Sequence, residues 1–99
     1  MTLQEREARA CAIIDSMAQE LRAVSLYLHD NPELGLNEHK AVKAIHQFLE
    51  KQNFISQVGL TDIRELQTAL RADYRGNAKY KIAFLGEYDA LPELGHGRS

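Results

Sequence analysis

Apolar residues recur every three or four positions along the first part of the chain, which is the period of an amphipathic helix. The stripe consists of Ile14, Met17, Leu21, Val24 and Leu28. Thr2 precedes Glu5 by the spacing of an N-terminal capping box, and Pro32 cannot continue a helix. The pattern predicts one long helix over about residues 3–29, with its apolar stripe facing a core.

A second helix is predicted after the turn residues Asn31–Gly35, with Asn37 as its N-terminal cap. Its apolar face consists of Ala41, Val42, Ile45, Phe48 and Leu49. Asn53 is expected to close this helix, because asparagine tolerates a positive φ better than most residues do.

Strands are predicted in the second half of the chain, at Phe54–Val58, Thr68–Tyr74 and Lys81–Leu85. Gly59 is expected to end the first strand, residues 60–67 fit either one helical turn or a loop, and residues 75–78 suit a hairpin. The third strand is the most apolar, which suits the interior of a sheet. The order of elements predicts an α/β fold: two N-terminal helices followed by the first strands of a mixed sheet.

Length and charge exclude several classes of protein. Ninety-nine residues make one small domain or part of a larger one, and a net charge of −2 provides no electrostatic footprint for nucleic acid or an anionic membrane. The chain contains no apolar stretch long enough to span a membrane. Cys11, the single cysteine, cannot form an internal disulfide, which favours a reducing cytoplasm, and we expect it to be a small packed side chain.

Acidic residues follow the third predicted strand. Glu87 and Asp89 lie at its C-terminal end, where open α/β sheets collect their ligands. Residues two apart in an extended chain point to opposite faces, so at most one of the two aims into a given site. The alternative is a solvated loop that carries ordinary acids.

The histidines give a weaker signal. His29 ends the first predicted helix, where a histidine commonly interacts with the helix dipole. His39 and His46 are two helical turns (about 10 Å) apart, which is too far for one metal ion, and we expect both at the surface.

Two motifs resemble those of a known family. Leu28–Gly35, followed by Glu38, resembles the HxxPELxxxE stretch of the dizinc aminoacylase-like amidohydrolases. That peptidase family includes N-acyl-amino-acid, hippurate and aminobenzoyl-glutamate hydrolases. Gly86–Pro92, followed by Gly95 and His96, is similar to the EYDALPxxGH segment of the same family. The motifs occur in the expected order, and the resemblance covers nearly the whole chain.

The resemblance implies cleavage of the amide bond of a small N-acyl amino acid or dipeptide by an α/β zinc-peptidase-like catalytic domain. In that family two zinc ions bridge a water and lower its pKa, a Glu acts as general base, and a smaller domain contributes to dimerisation. Asp89 and His96 match family positions and are the candidate catalytic residues. Glu87 stands where other branches of the family carry a metal-binding histidine.

The sequence departs from the family in the Gly-His-x-Cys-Gly-His motif. Arg98 stands where the metal-binding Cys would be, and a guanidinium cannot replace a thiolate as a ligand. We therefore interpret residues 1–99 as the N-terminal segment of a catalytic domain without the dimerisation domain. We expect no metal ligand set or bound cofactor in this chain by itself, and no activity; the two zinc ions belong to the full-length family.

Three explanations are open for such a chain. It is a truncated gene product or deliberate fragment, an interaction module that pairs with another chain to complete a sheet, or a non-enzymatic domain with a coincidental similarity. The first predicts a small amide or dipeptide substrate for the full-length protein and no nucleic-acid or membrane partner. It also predicts that Lys81–Leu85 and the N-terminal apolar stripe bury only partly, which leaves an uncovered sheet edge for association.

Overall fold

The computed structural model describes residues 1–60, 66–74, 76 and 78–93. Three helices precede a two-stranded antiparallel sheet, which confirms the predicted α/β class. The elements are α1 (Leu3–Ser16), α2 (Ala18–Asp30), α3 (His39–Lys51), β1 (Ile55–Leu60) and β2 (Leu66–Asp73). For residues 60–67 we left one helical turn or a loop open; Leu60 ends β1 and Leu66 begins β2, so the described positions are strand, and residues 61–65 lie outside the described residues. Part of the predicted hairpin at residues 75–78 lies outside them as well.

The predicted N-terminal helix is two helices. It begins as expected, because the Thr2 hydroxyl accepts a hydrogen bond from the Glu5 amide at 3.1 Å. It breaks at Met17, whose φ of −102° and ψ of 5° leave the helical region. At this point the Ile13 carbonyl accepts from both the Ser16 hydroxyl at 2.6 Å and the Met17 amide at 3.2 Å, and a side-chain hydrogen bond of this kind often bends a helix. The end before Pro32 is confirmed.

The sequence prediction is wrong at the first end of α3 and correct at the second. Glu38, not the predicted Asn37, is the N-terminal cap residue, and its side chain makes no capping hydrogen bond. The C-terminal prediction is confirmed, because Asn53 has a φ of +67°. The Asn53 amide donates to the Glu50 carbonyl and the Phe54 amide to the Leu49 carbonyl, both at 3.1 Å, which is a Schellman motif.

The strands β1 and β2 pair antiparallel, with Ile55 opposite Asp73 and Val58 opposite Leu70. Both agree with the predicted strands to within two residues. Gly59 does not end β1 as expected; it forms an irregularity inside the strand, where the register shifts after Val58. Its φ of +82° is accessible to glycine at little cost, so a side chain at this position would be strained.

The core of the described residues lies between α3 and the sheet. Ala41 and Val42 of α3 are 2% and 5% exposed, and Thr68 of β2 is 4% exposed. α1 buries none of its residues, so Cys11 is exposed and not the packed side chain that we expected. The radius of gyration of 15.9 Å exceeds the about 13 Å of a compact chain of this size, so the packing is open.

The N-terminal apolar stripe is only partly covered. Its members Met17, Val24 and Leu28 are half-buried, whereas Ile14 is 57% exposed. The prediction that this stripe faces a core therefore holds only for part of its length, and the predicted partial burial is confirmed.

The third predicted strand is wrong for this structure. Lys81–Leu85 pairs with no other strand in the described part of the chain, and Phe84 is 94% exposed. A strand needs a partner for its backbone hydrogen bonds, and the hairpin of β1 and β2 does not extend to this segment. The exposed apolar side chains here and on α1 fit an incomplete domain. None of the helices in the described ranges is long and apolar enough to cross a membrane.

Candidate functional site

The two segments with family-like motifs lie side by side. We call them the Glu33 turn (residues 31–37) and the Asp89 segment (residues 86–92). Leu34 and Ala90 form an isolated parallel β-bridge, and the Ala90 amide donates to the Glu33 carbonyl at 2.6 Å. A Cβ atom added at Gly35 would lie 3.7 Å from Asp89 Oδ2, so the Asp89 carboxylate lies against the backbone of the turn. Residues far apart in the sequence thus meet at Asp89.

Glu33 holds the turn against the start of α3. Its Oε2 accepts a hydrogen bond from the Lys40 amide and its Oε1 from the Ala41 amide, both at 2.9 Å. The Lys40 amide, followed by the Ala41 amide and the charges of Lys40 and His39, lowers the pKa of Glu33 against the opposing effect of desolvation. A carboxylate at this position satisfies backbone donors that have no partner within the helix and interacts favourably with the helix dipole. Glu33 is therefore a structural anion.

A hydrogen-bond chain links α3, β2 and the Asp89 segment. The Thr68 hydroxyl donates to Glu38 Oε1 at 2.8 Å, and the Tyr88 hydroxyl donates to the Thr68 carbonyl. Desolvation, with the charge of Glu38 as a second cause, raises the pKa of Tyr88. Tyr88 is therefore protonated at neutral pH and remains a hydrogen-bond donor.

The candidate catalytic residues differ in what the structure says of them. Asp89 lies at the junction of the two segments, where its side chain is exposed. Glu87 is exposed as well. His96 lies outside the described residues, and its role stays a prediction.

The described residues do not fit a two-metal site. No three His, Cys, Asp or Glu side chains among them are grouped so that they could hold a metal ion. Glu33 directs both oxygens at helix amides, and Glu38 accepts from Thr68. A catalytic zinc ion needs about three protein ligands. In the Asp89 segment and the Glu33 turn, the carboxylates without such a structural role are Glu87 and Asp89.

The histidines of α3 correct another expectation. His39 is exposed as predicted, whereas His46 is half-buried rather than fully at the surface. Its Nδ1 lies 2.7 Å from Ser56 Oγ on β1, and its Nε2 lies 3.1 Å from Glu50 Oε1. His46 thus connects α3 to the sheet. His29 lies in the last turn of α2, as predicted, with its Nδ1 at 3.3 Å from Asp30 Oδ1.

The residues that sequence reasoning missed are Thr68 and Tyr88. Thr68 is one hydroxyl side chain in a predicted strand, and Tyr88 is one position of the second motif, Gly86–Pro92. Their connection to Glu38 depends on how close α3, β2 and the Asp89 segment lie in the fold. A local sequence pattern does not contain that information. A cleft of about 550 Å³ between α2 and α3, lined by Val24, Tyr27 and Phe48 among others, contains none of these residues.

Comparison with known proteins supports a peptidase or hydrolase family. The chain is 35% identical over 100 residues to the Xaa-Arg dipeptidase of Mus musculus, which covers 95% of the chain and 23% of the relative. It is 30% identical over 103 residues to the Xaa-Arg dipeptidase of Homo sapiens, covering 95% and 24%. It is 41% identical over 66 residues to an uncharacterized hydrolase of Staphylococcus haemolyticus, covering 67% and 16%.

The chain therefore spans about a quarter or less of the length of these curated relatives. No family profile matches the chain. No solved structure matches it significantly.

Proposed function

We propose that this chain is the N-terminal part of the catalytic domain of a metal-dependent amidohydrolase of the aminoacylase-like type. The observation that supports it most is the meeting of the two family-like segments, with the Asp89 carboxylate against Gly35. A site built at such a junction needs both segments in place. The similarity to dipeptidases along 95% of the chain supports the same assignment.

The substrate class is a small molecule with one amide bond, either a dipeptide or an N-acyl amino acid. The name Xaa-Arg dipeptidase, which belongs to the mouse and human relatives, favours a dipeptide as the first substrate to test. We place the reaction in the cytoplasm, because one cysteine offers no internal disulfide.

Among the described residues, the contribution to the site is one carboxylate held at a fixed place, that of Asp89. Its described residues do not complete a metal site, so the other ligands and the general base come from elsewhere in the whole protein or from another chain. The two zinc ions of the aminoacylase-like family belong to the proposal for the whole protein. Alone, the 99 residues have no hydrolytic activity in this proposal.

A second candidate function is a non-catalytic interaction module. The observation that favours it is the apolar segment at Ile82, Phe84 and Leu85, which is highly exposed. An unpaired segment of this kind can add to the sheet edge of another chain through main-chain hydrogen bonds.

The test compares the purified chain with the longer protein of which, in this proposal, the chain is the N-terminal part. We call that longer protein the full gene product. Each is incubated with zinc and a panel of Xaa-Arg dipeptides and N-acyl amino acids, and release of the free amino acid is measured. We expect hydrolysis by the full product and none by the chain. Hydrolysis by the chain alone, or none by the full product, contradicts the proposal. Co-purification of the chain with a partner whose addition changes no amidase activity would favour the interaction module.

A further inference from the structure

We propose that Tyr88 and Glu38 are positioning residues that hold Asp89 at the junction of the Glu33 turn and the Asp89 segment. The inference deepens the proposed function and, as a statement about catalysis, rests on it. Neither residue has to contact a substrate. Each acts on Asp89 through the backbone of the Asp89 segment.

The first step is that Asp89 is fixed through both of its neighbours in the chain. Tyr88, the preceding residue, is tied to β2 through its hydroxyl and the Thr68 carbonyl. Ala90, the following residue, is tied to the turn through its amide and the Glu33 carbonyl at 2.6 Å. The carboxylate between them therefore has a defined place, although its own side chain is exposed.

The second step is that both ties lead to the start of α3. The Glu33 carboxylate accepts from the amides of Lys40 and Ala41, so the residue that binds the Ala90 amide is itself bound to the first turn of this helix. Glu38, the cap residue of α3, accepts from the Thr68 hydroxyl and so steadies the residue to which Tyr88 is bound. The two carboxylates of the first motif thus support Asp89 from two directions.

The third step is that the hydrogen bond from Tyr88 to the Thr68 carbonyl is stabilised by burial and by the protonated state of Tyr88. Thr68 is 4% exposed, so water does not readily replace the partners of its hydroxyl and carbonyl groups. Desolvation, followed by the negative charge of Glu38, raises the pKa of the Tyr88 hydroxyl, which preserves the donor. Removal of the Tyr88 hydroxyl leaves the Thr68 carbonyl without this donor and releases one side of Asp89.

The experiment measures amide hydrogen exchange on the 99-residue chain carrying Tyr88→Phe. We expect the exchange rate of the Ala90 amide to rise at least 10-fold, whereas the Ala41 and Val42 amides within α3 keep their rates. Tyr80→Phe is the matched control, because Tyr80 is 80% exposed, and it is expected to change neither rate. An unchanged Ala90 rate in Tyr88→Phe overturns the proposal, and so does an equal rise at Ala41, which indicates loss of the fold.

A pair of substitutions at Glu38 separates positioning from general destabilisation. Glu38→Gln retains an oxygen that accepts from Thr68, and we expect it to keep Ala90 protected. Glu38→Ala removes the acceptor, and we expect the Ala90 rate to rise as in Tyr88→Phe. Equal behaviour of the two variants contradicts the role of Glu38. Exchange of the Ala90 and Ala41 amides is also measured by mass spectrometry in the same variants of the full gene product. The comparison then does not depend on how stably the 99-residue chain folds by itself.

Activity of the full gene product distinguishes this inference from the proposed function. Residues that support a metal ligand from the outer shell typically cost 10- to 100-fold in metal affinity or activity when changed, and Asp89 belongs to a metal site in the proposed function. We expect Tyr88→Phe to lower kcat by that factor with little change in KM. Wild-type kcat in Tyr88→Phe contradicts the inference and leaves the proposed function intact. No hydrolysis by the wild-type product contradicts the proposed function, whereas the exchange rates still decide whether the residues hold Asp89.

Discussion

The region around α3 and the sheet differs sharply from α1 and from the segment at residues 82–85. Ala41, Val42 and Thr68 are buried where α3 covers β2, whereas α1 and the segment at residues 82–85 leave their apolar side chains exposed. Burial thus follows the availability of a partner, because both kinds of region carry apolar residues. The Glu33 turn and the Asp89 segment lie at the border of the packed region, which provides the rigid support that a site needs.

The largest expected effect is a loss of unfolding free energy when the packed region is changed, with little loss when the exposed region is changed. Val42→Asp places a charge at a position that is 5% exposed, and an unpaired buried charge costs about 3–5 kcal/mol. Ile14→Asp makes the same kind of change on α1, where the side chain is 57% exposed, and should stay within about 0.5 kcal/mol. Urea titration followed by circular dichroism measures both. Similar losses in the two variants would mean that the contrast between the regions is wrong.

A smaller effect is expected at the end of α3. Asn53 has a φ of +67°, and the left-handed conformation costs a residue with an ordinary side chain about 1–2 kcal/mol. We expect Asn53→Ala to lose stability by about that amount and Asn53→Gly to match or exceed the wild type. Thermal unfolding checks this order. An Ala variant as stable as the Gly variant would contradict the left-handed conformation at this residue.

The smallest effect concerns the acid dependence of the Glu33 turn. Because the pKa of Glu33 is lowered in the folded chain, its stabilising contribution is complete above the ordinary glutamate pKa of about 4.3. That contribution is lost as the pH falls through the lowered pKa. We expect Glu33→Gln to be less stable than the wild type at pH 7 and the gap to close towards pH 3. The Tm of both proteins across this range is the measurement, and a constant gap would contradict the role of the charge.

Local chemistry accounts for the parts of the fold that could be predicted from sequence. The Thr2 cap, the stop before Pro32 and the left-handed Asn53 each depend on residues within a few positions of one another. The break at Met17 was missed because the hydroxyl of Ser16 either points to solvent or bonds to its own helix, and the apolar period does not distinguish these.

Interactions across the fold could not be predicted in the same way. The strand at Lys81–Leu85 was inferred from its apolar side chains, but a strand also needs a neighbour, and none pairs with it in the residues described. Glu33 rather than Asn37 satisfies the amides of α3, because the turn brings a more distant carboxylate to them. Asp89 is a candidate from its place after a predicted strand and from the family resemblance, whereas its supports Thr68 and Tyr88 required the distances between α3, β2 and the Asp89 segment.

The most direct test of the central claim is the hydrolysis of an Xaa-Arg dipeptide by the full gene product carrying Asp89→Asn. Asp15→Asn, the same change on exposed α1, serves as the control. We expect Asp89→Asn to lower kcat/KM by about 10- to 100-fold or more and Asp15→Asn to leave it unchanged. Wild-type kcat/KM in Asp89→Asn would contradict the assignment of a hydrolase site to the place where the two segments meet.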